Sequence, residues 1–132
     1  MGENGISDEV RIFLADHIDS VLELELLLAL RADPSRLWTG VELAQELKID
    51  AGWADAQLVK FAGRGLLARS EDAPPKYRYA PATPSLDATV AAVADTYATH
   101  RVTMIGLIFS KPTSTLKSFA DAFRIRKEKN DG

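Results

Sequence analysis

The passage from Ala54 to Tyr79 constrains this chain most. Ala54, Leu58 and Phe61 recur at intervals of three and four, the spacing that puts side chains on one face of a helix. Gly63 and Gly65 bracket the end of that helix, where a left-handed cap calls for a residue without Cβ. Residues 66–70 then read as a strand, which Glu71-Asp72-Ala73-Pro74-Pro75 cannot continue. Lys76-Tyr77-Arg78-Tyr79 alternates with period two and reads as the returning strand. Its pattern predicts Lys76 and Arg78 on one face and the two tyrosines on the other. Pro81 and Pro84 close the unit. Few folds let a helix run directly into so short a hairpin.

Upstream, the spacing predicts three helices. Ser7 followed by Asp8-Glu9 marks a start, with Val10, Phe13, Leu14 and Ile18 at helical spacing. A second start falls at Asp19-Ser20. From Val21 to Leu30 the pattern is apolar nearly all round, with Glu23 and Glu25 the exceptions, and such a helix is enclosed on most sides. Asp33-Pro34 ends it. Thr39 and Glu42 have capping-box spacing, so a short helix over 40–47 follows. Lys48-Ile49-Asp50 is a tight turn, and Asp50 caps the third helix over 51–63. Trp38 belongs to the core or a sheet.

Downstream, Thr83 or Ser85 caps a long helical segment with Pro84 in its first turn. Leu86, Val90, Val93, Tyr97, Met104 and Ile108 form a stripe, interrupted by His100 and Arg101. Ser110-Lys111-Pro112 breaks it, and a last helix carries Leu116, Phe119 and Phe123. The fold class expected is mainly α with a small β-hairpin, α+β. Residues 1–82 are expected to form one unit and residues 83–132 a helical extension. The stripe exceeds what three short helices need to cover, so a homodimer through residues 83–125 is expected.

Charge is uneven. Net charge is −3, but residues 1–32 hold 2 basic and 7 acidic side chains, residues 33–80 hold 7 of each, and residues 111–132 hold 6 and 3. A nucleic-acid binder is usually more basic in its binding unit than this balance. The absence of cysteine excludes disulfides, thiolate zinc sites and thiol catalysis, and agrees with a cytoplasmic address. The longest purely apolar run, Leu26 to Leu30, is far below the roughly 20 residues of a membrane span, and Met1 to Gly5 has no signal-peptide character.

Helix, short strand, helix, turn, helix and hairpin is the order of a winged helix-turn-helix. Trp38-Thr39 with Val41-Glu42-Leu43-Ala44 looks like that family's approach to its second helix. Leu58, Phe61, Gly65, Leu66, Leu67 and Arg69 look like its recognition helix running into its wing. The resemblance covers about residues 20–80, and the helices after the wing resemble the dimerising extensions of bacterial MarR-like transcriptional regulators. It implies that the third helix enters the major groove of double-stranded DNA while the wing touches the backbone. Carried onto this sequence, Gln57 reads a base edge, Lys60 and Arg64 meet guanine or phosphate, and Arg69, Lys76 and Arg78 meet phosphate.

The same helix also presents Asp55, which repels phosphate, and Ala56 and Val59, which offer no hydrogen bonds. Two functions therefore stay open: a DNA-binding transcriptional regulator, or a winged helix turned protein-interaction module that uses Trp53 and Val59. Trp53 serves the second only if it is exposed and not packed back on the first helix. Nothing assembles a catalytic site, so the chain reads as a non-enzyme. There is no glycine-rich phosphate loop, and Gly63-Arg64-Gly65 is a helix exit. His17 beside Asp16 and Asp19 has no recognised metal-ligand spacing. No cofactor or metal is expected.

Overall fold

The computed structural model describes residues 5–110. They form, in chain order, α1 (Asp8–His17), α2 (Val21–Ala32), α3 (Gly40–Leu47), α4 (Ala51–Gly63), β1 (Leu67–Arg69), β2 (Tyr77–Tyr79), α5 (Pro84–Thr99) and α6 (Arg101–Ser110). The architecture is mainly α with one antiparallel hairpin, as the sequence predicts. Residues 111–132, and with them the helix expected around Leu116 and Phe123, lie outside the described residues.

Local chemistry sets the helix starts. Ser7, Ser20 and Asp50 each accept a hydrogen bond from the amide three residues on, at Val10, Glu23 and Trp53. Thr39 and Glu42 form the reciprocal capping box, with bonds of 3.1 and 3.0 Å. Thr83, not Ser85, caps α5 by accepting from Leu86 N–H at 3.0 Å. Lys48 ends α3 in the left-handed region at φ 58°.

The exit from α4 needs only one of its two glycines. Gly63 is the last helical residue, and Gly65 takes φ +80°. Leu66 N–H donates to the Phe61 carbonyl at 3.0 Å and Gly65 N–H to the Ala62 carbonyl at 3.1 Å, the pair of bonds that closes a helix through a left-handed residue. This closure hands the chain straight to β1.

The hairpin pairs Leu67 with Tyr79, Ala68 with Arg78 and Arg69 with Tyr77. Trp38 adds a one-residue bridge on the far side of β2, exchanging two 2.8 Å bonds with Tyr77. The strands are shorter than the pattern suggests because Ser70 works for the turn. Its hydroxyl accepts from Lys76 N–H and Asp72 N–H and donates to the Asp72 carboxylate.

One core joins all the elements. Leu24, Leu26, Leu27 and Leu30 of α2, Leu43 of α3, Leu58 and Phe61 of α4, and Leu66 beside β1 are completely buried. Trp38, Tyr77 and Tyr79 close it from the sheet. The long C-terminal stripe breaks at His100, whose non-helical backbone caps α5 while its carbonyl accepts from Met104 N–H to begin α6. Val90, Val93, Tyr97, Met104 and Ile108 are buried within the chain. They pack against α1, whose Val10, Phe13 and Leu14 face α5 and α6. Much of the apolar surface that suggested a dimer is thus covered by the chain's own first helix. Among the described residues, no helix is long and apolar enough to cross a membrane.

Candidate nucleic-acid interface

In a winged helix the surface offered to DNA is the outward face of α4 together with the wing. The exposed residues Gly52, Asp55, Ala56, Val59 and Gly63 recur at steps of three and four and form that outward face. Four are small or apolar and one is acidic. None is basic.

The two cations assigned to this helix from sequence are held elsewhere. Lys60 Nζ meets the Glu23 carboxylate in a close salt bridge and lies 4.0 Å from Asp19. Glu23 is buried in the largely apolar α2, and its Oε1 also accepts from Asp19 N–H. The buried carboxylate has to be paired, and Lys60 pairs it. Arg64 Nη1 donates to the Asp16 carbonyl at 2.6 Å and lies 3.1 Å from His17 Nδ1. That carbonyl belongs to the last turn of α1, where the partial negative charge of the helix end favours a cation. Both side chains therefore tie α4 to the α1–α2 corner.

Gln57 is half-buried, and its Oε1 is buried without a hydrogen-bond partner among the described residues. Its amide oxygen is turned inward and not toward a base edge. Trp53 is partly buried against the core, whereas Val59 is 54% exposed. Helical spacing could not reveal these placements, because they depend on where α1 and α2 sit. Glu23 did carry a signal. Of the two carboxylates in that apolar run, one that is enclosed requires a cation from another element.

The wing keeps its cations available. Arg78 is exposed on β2 and Lys76, half-buried, directly precedes the strand, while Tyr77 and Tyr79 turn inward, as the alternation predicts. Among the described residues, neither cation makes a salt bridge. Lys76 and Arg36 place positive charge near Glu42, whose carboxyl is held below its ordinary range chiefly by the Thr39 amide. Arg69 is exposed but lies opposite Tyr77, on the other face of the hairpin from Lys76 and Arg78. The wing thus divides its cations two to one.

Polar contacts tie the wing to α5 and the helices to one another. Tyr79 Oη donates to Asp87 of α5 at 2.9 Å, and burial together with that bond pushes its pKa up to about 12. Tyr97 of α5 and Arg101 of α6 both donate to Glu25 of α2, at 2.9 and 3.0 Å. Burial and the Glu25 bond also raise the Tyr97 pKa. Among the described residues, no group of three or more His, Asp or Glu is placed to hold a metal.

No family model and no curated protein matches the sequence. Solved structures do resemble the fold. A mutant MepR from S. aureus bound to an oligodeoxyribonucleotide aligns with TM-score 0.52 at 15% identity, over 94% of this chain and 88% of that one. The apo form of wild-type MarR from E. coli aligns with TM-score 0.50 at 15% identity, over 90% and 84%. A mutant MarR from E. coli gives 0.50 at 14%, over 89% and 83%. The chain has a MarR-like winged helix fold.

Proposed function

We propose that the chain is a DNA-binding transcriptional regulator of the winged-helix type, acting in the cytoplasm as a homodimer and without catalytic activity. One observation carries the reading. The fold resembles a structure bound to an oligodeoxyribonucleotide, and its wing carries exposed Arg78 and half-buried Lys76 two residues apart. Lys76 and Arg78 supply the phosphate contacts, and Arg69 lies on the opposite face of the hairpin. The small face of α4 permits close approach in the major groove, where Ala56 and Val59 suit a thymine methyl. Lys60 and Arg64 orient the helix.

The dimer is proposed through residues 83–125. Supporting it, Val102 and Phe109 lie on one face of α6 and are 84% and 72% exposed, with Ile105 between them. Light scattering at micromolar concentration is expected to give twice the 14.4 kDa of one chain. A monomer overturns the dimer.

Binding to duplex DNA across a salt series tests the main reading. Two wing cations on one face predict a slope of log K against log salt of roughly −2, shallow for a DNA-binding protein. No binding at low salt overturns it. A second reading, a protein-interaction module, is favoured by one specific observation: the outward face of α4 has no cation and exposes Val59. That reading expects no salt-dependent DNA binding and loss of a protein partner on Val59→Asp.

A further inference from the structure

The free edge of β1 adjoins an apolar groove. Ser70 N–H donates to the Lys76 carbonyl and Ala80 N–H to the Leu66 carbonyl, so these two pairs are hydrogen-bonded positions of the ladder. Pairs alternate along an antiparallel hairpin, which makes Ala68 and Arg78 the next hydrogen-bonded pair. Leu67 and Arg69 occupy the positions between. Their N–H and C=O groups therefore point away from β2. The equivalent groups of Tyr77 point the opposite way, and Trp38 satisfies them. Nothing among the described residues satisfies those of Leu67 and Arg69.

A groove of about 470 Å³ lies between the C-terminal half of α4 and the face of the hairpin that carries Leu67, Arg69 and Tyr77. Val59, Ala62, Gly63, Leu67 and Tyr77 line it, and Arg69 supplies its one charge. A row of open backbone groups beside an apolar trough with a cationic rim is the arrangement that accepts an added strand. Backbone bonds provide affinity, and alternate side chains of the incoming strand enter the trough.

We propose that the β1 edge binds an extended peptide segment of a protein partner, with apolar side chains seated over Val59 and Leu67 and an acidic side chain at Arg69. Charge selects the acidic partner, because Arg69 is the groove's only charged residue and carries no salt bridge among the described residues. Duplex DNA cannot satisfy a ladder of alternating N–H and C=O groups. The site also differs from the proposed phosphate surface, since Lys76 and Arg78 lie on the other face of the hairpin. It stands whether or not the chain binds DNA.

The test uses a short capped peptide in which valine and glutamate alternate, added to the full chain. Hydrogen exchange and amide chemical shifts report on Leu67 and Arg69. Protection of both amides on peptide addition, with binding weakened about tenfold by Arg69→Glu and regained by a valine–lysine peptide, is expected. Both peptides are read by the same shifts, and the exposed Arg69 position leaves the fold intact. Three outcomes overturn the proposal: no protection at millimolar peptide, equal binding of a peptide with N-methylated backbone, or protection that rises with protein concentration alone. The last would show two copies pairing edge to edge.

Discussion

Lys60 separates the two roles a cation on α4 can have. Its side chain is 26% exposed and that of Glu23 only 9%, so removing Lys60 leaves a mostly buried carboxylate without its counter-charge. Breaking a fully buried pair costs about 3–5 kcal/mol. Glu23 retains the Asp19 N–H bond, and the site opens partly to water on the Lys60 side. The expected cost of Lys60→Met is therefore about 2 kcal/mol, below that range because the carboxylate stays partly solvated and hydrogen-bonded. In a chain of this size, that loss lowers Tm by about 8 °C.

Urea and thermal denaturation followed by circular dichroism measure this. The double variant Glu23→Gln, Lys60→Met should recover much of the loss, because it leaves no buried charge. The DNA salt slope should be the same for Lys60→Met as for the parent chain. A stability change under 0.5 kcal/mol would refute the pairing argument. A slope smaller by about 1 would show that Lys60 contacts phosphate after all.

Other perturbations address the core, the wing and the phenol. Phe61→Ala is expected to cost about 3–4 kcal/mol in urea denaturation, since the ring is completely buried; a loss under 1 kcal/mol would contradict the core face of α4. Lys76→Gln and Arg78→Gln should each reduce the salt slope by about 1 and weaken all duplex sequences equally in an anisotropy titration; an unchanged slope in both would remove the wing from the interface. Tyr79 is raised from 10.0 to about 12, so its protonated form is favoured by folding. The stability it contributes is complete below pH 10 and is lost as pH rises toward 12. Tyr79→Phe should flatten that alkaline fall in denaturation curves; an identical fall in the variant would show that another group causes it.

What was legible in the sequence was local. The capping residues Ser7, Thr39 and Asp50, the turn after Ser70 and the alternation from Lys76 to Tyr79 each encode their geometry within a few positions. The hairpin and the MarR-like order follow from them. What was not legible was which neighbour each helix face would meet. The stripe from Val90 to Ile108 has the same pattern whether it faces a second chain or α1, and only the fold shows α1 lying across it. Lys60 and Arg64 have the spacing of a shared exposed face, yet the α1–α2 corner offers them a buried carboxylate and an open helix-end carbonyl.

This competition between neighbours also explains the electrostatics of the surface. A cation tied to a buried carboxylate adds little to the field outside, because its charge is largely cancelled within a few ångströms. With Lys60 so engaged and Asp55 exposed on the outward face, α4 brings no net attraction for phosphate. Under the proposed function, attraction comes from the hairpin, where Lys76 and Arg78 lack such partners among the described residues. An interface built this way positions itself by the wing and reads through shape and apolar contact at α4. It should discriminate poorly among sequences that differ in guanine content and better among those that differ in thymine methyl groups. Comparing thymine with uracil at single positions of a bound duplex isolates that methyl contact. Equal affinity for both at every position would leave Ala56 and Val59 without a role in reading DNA.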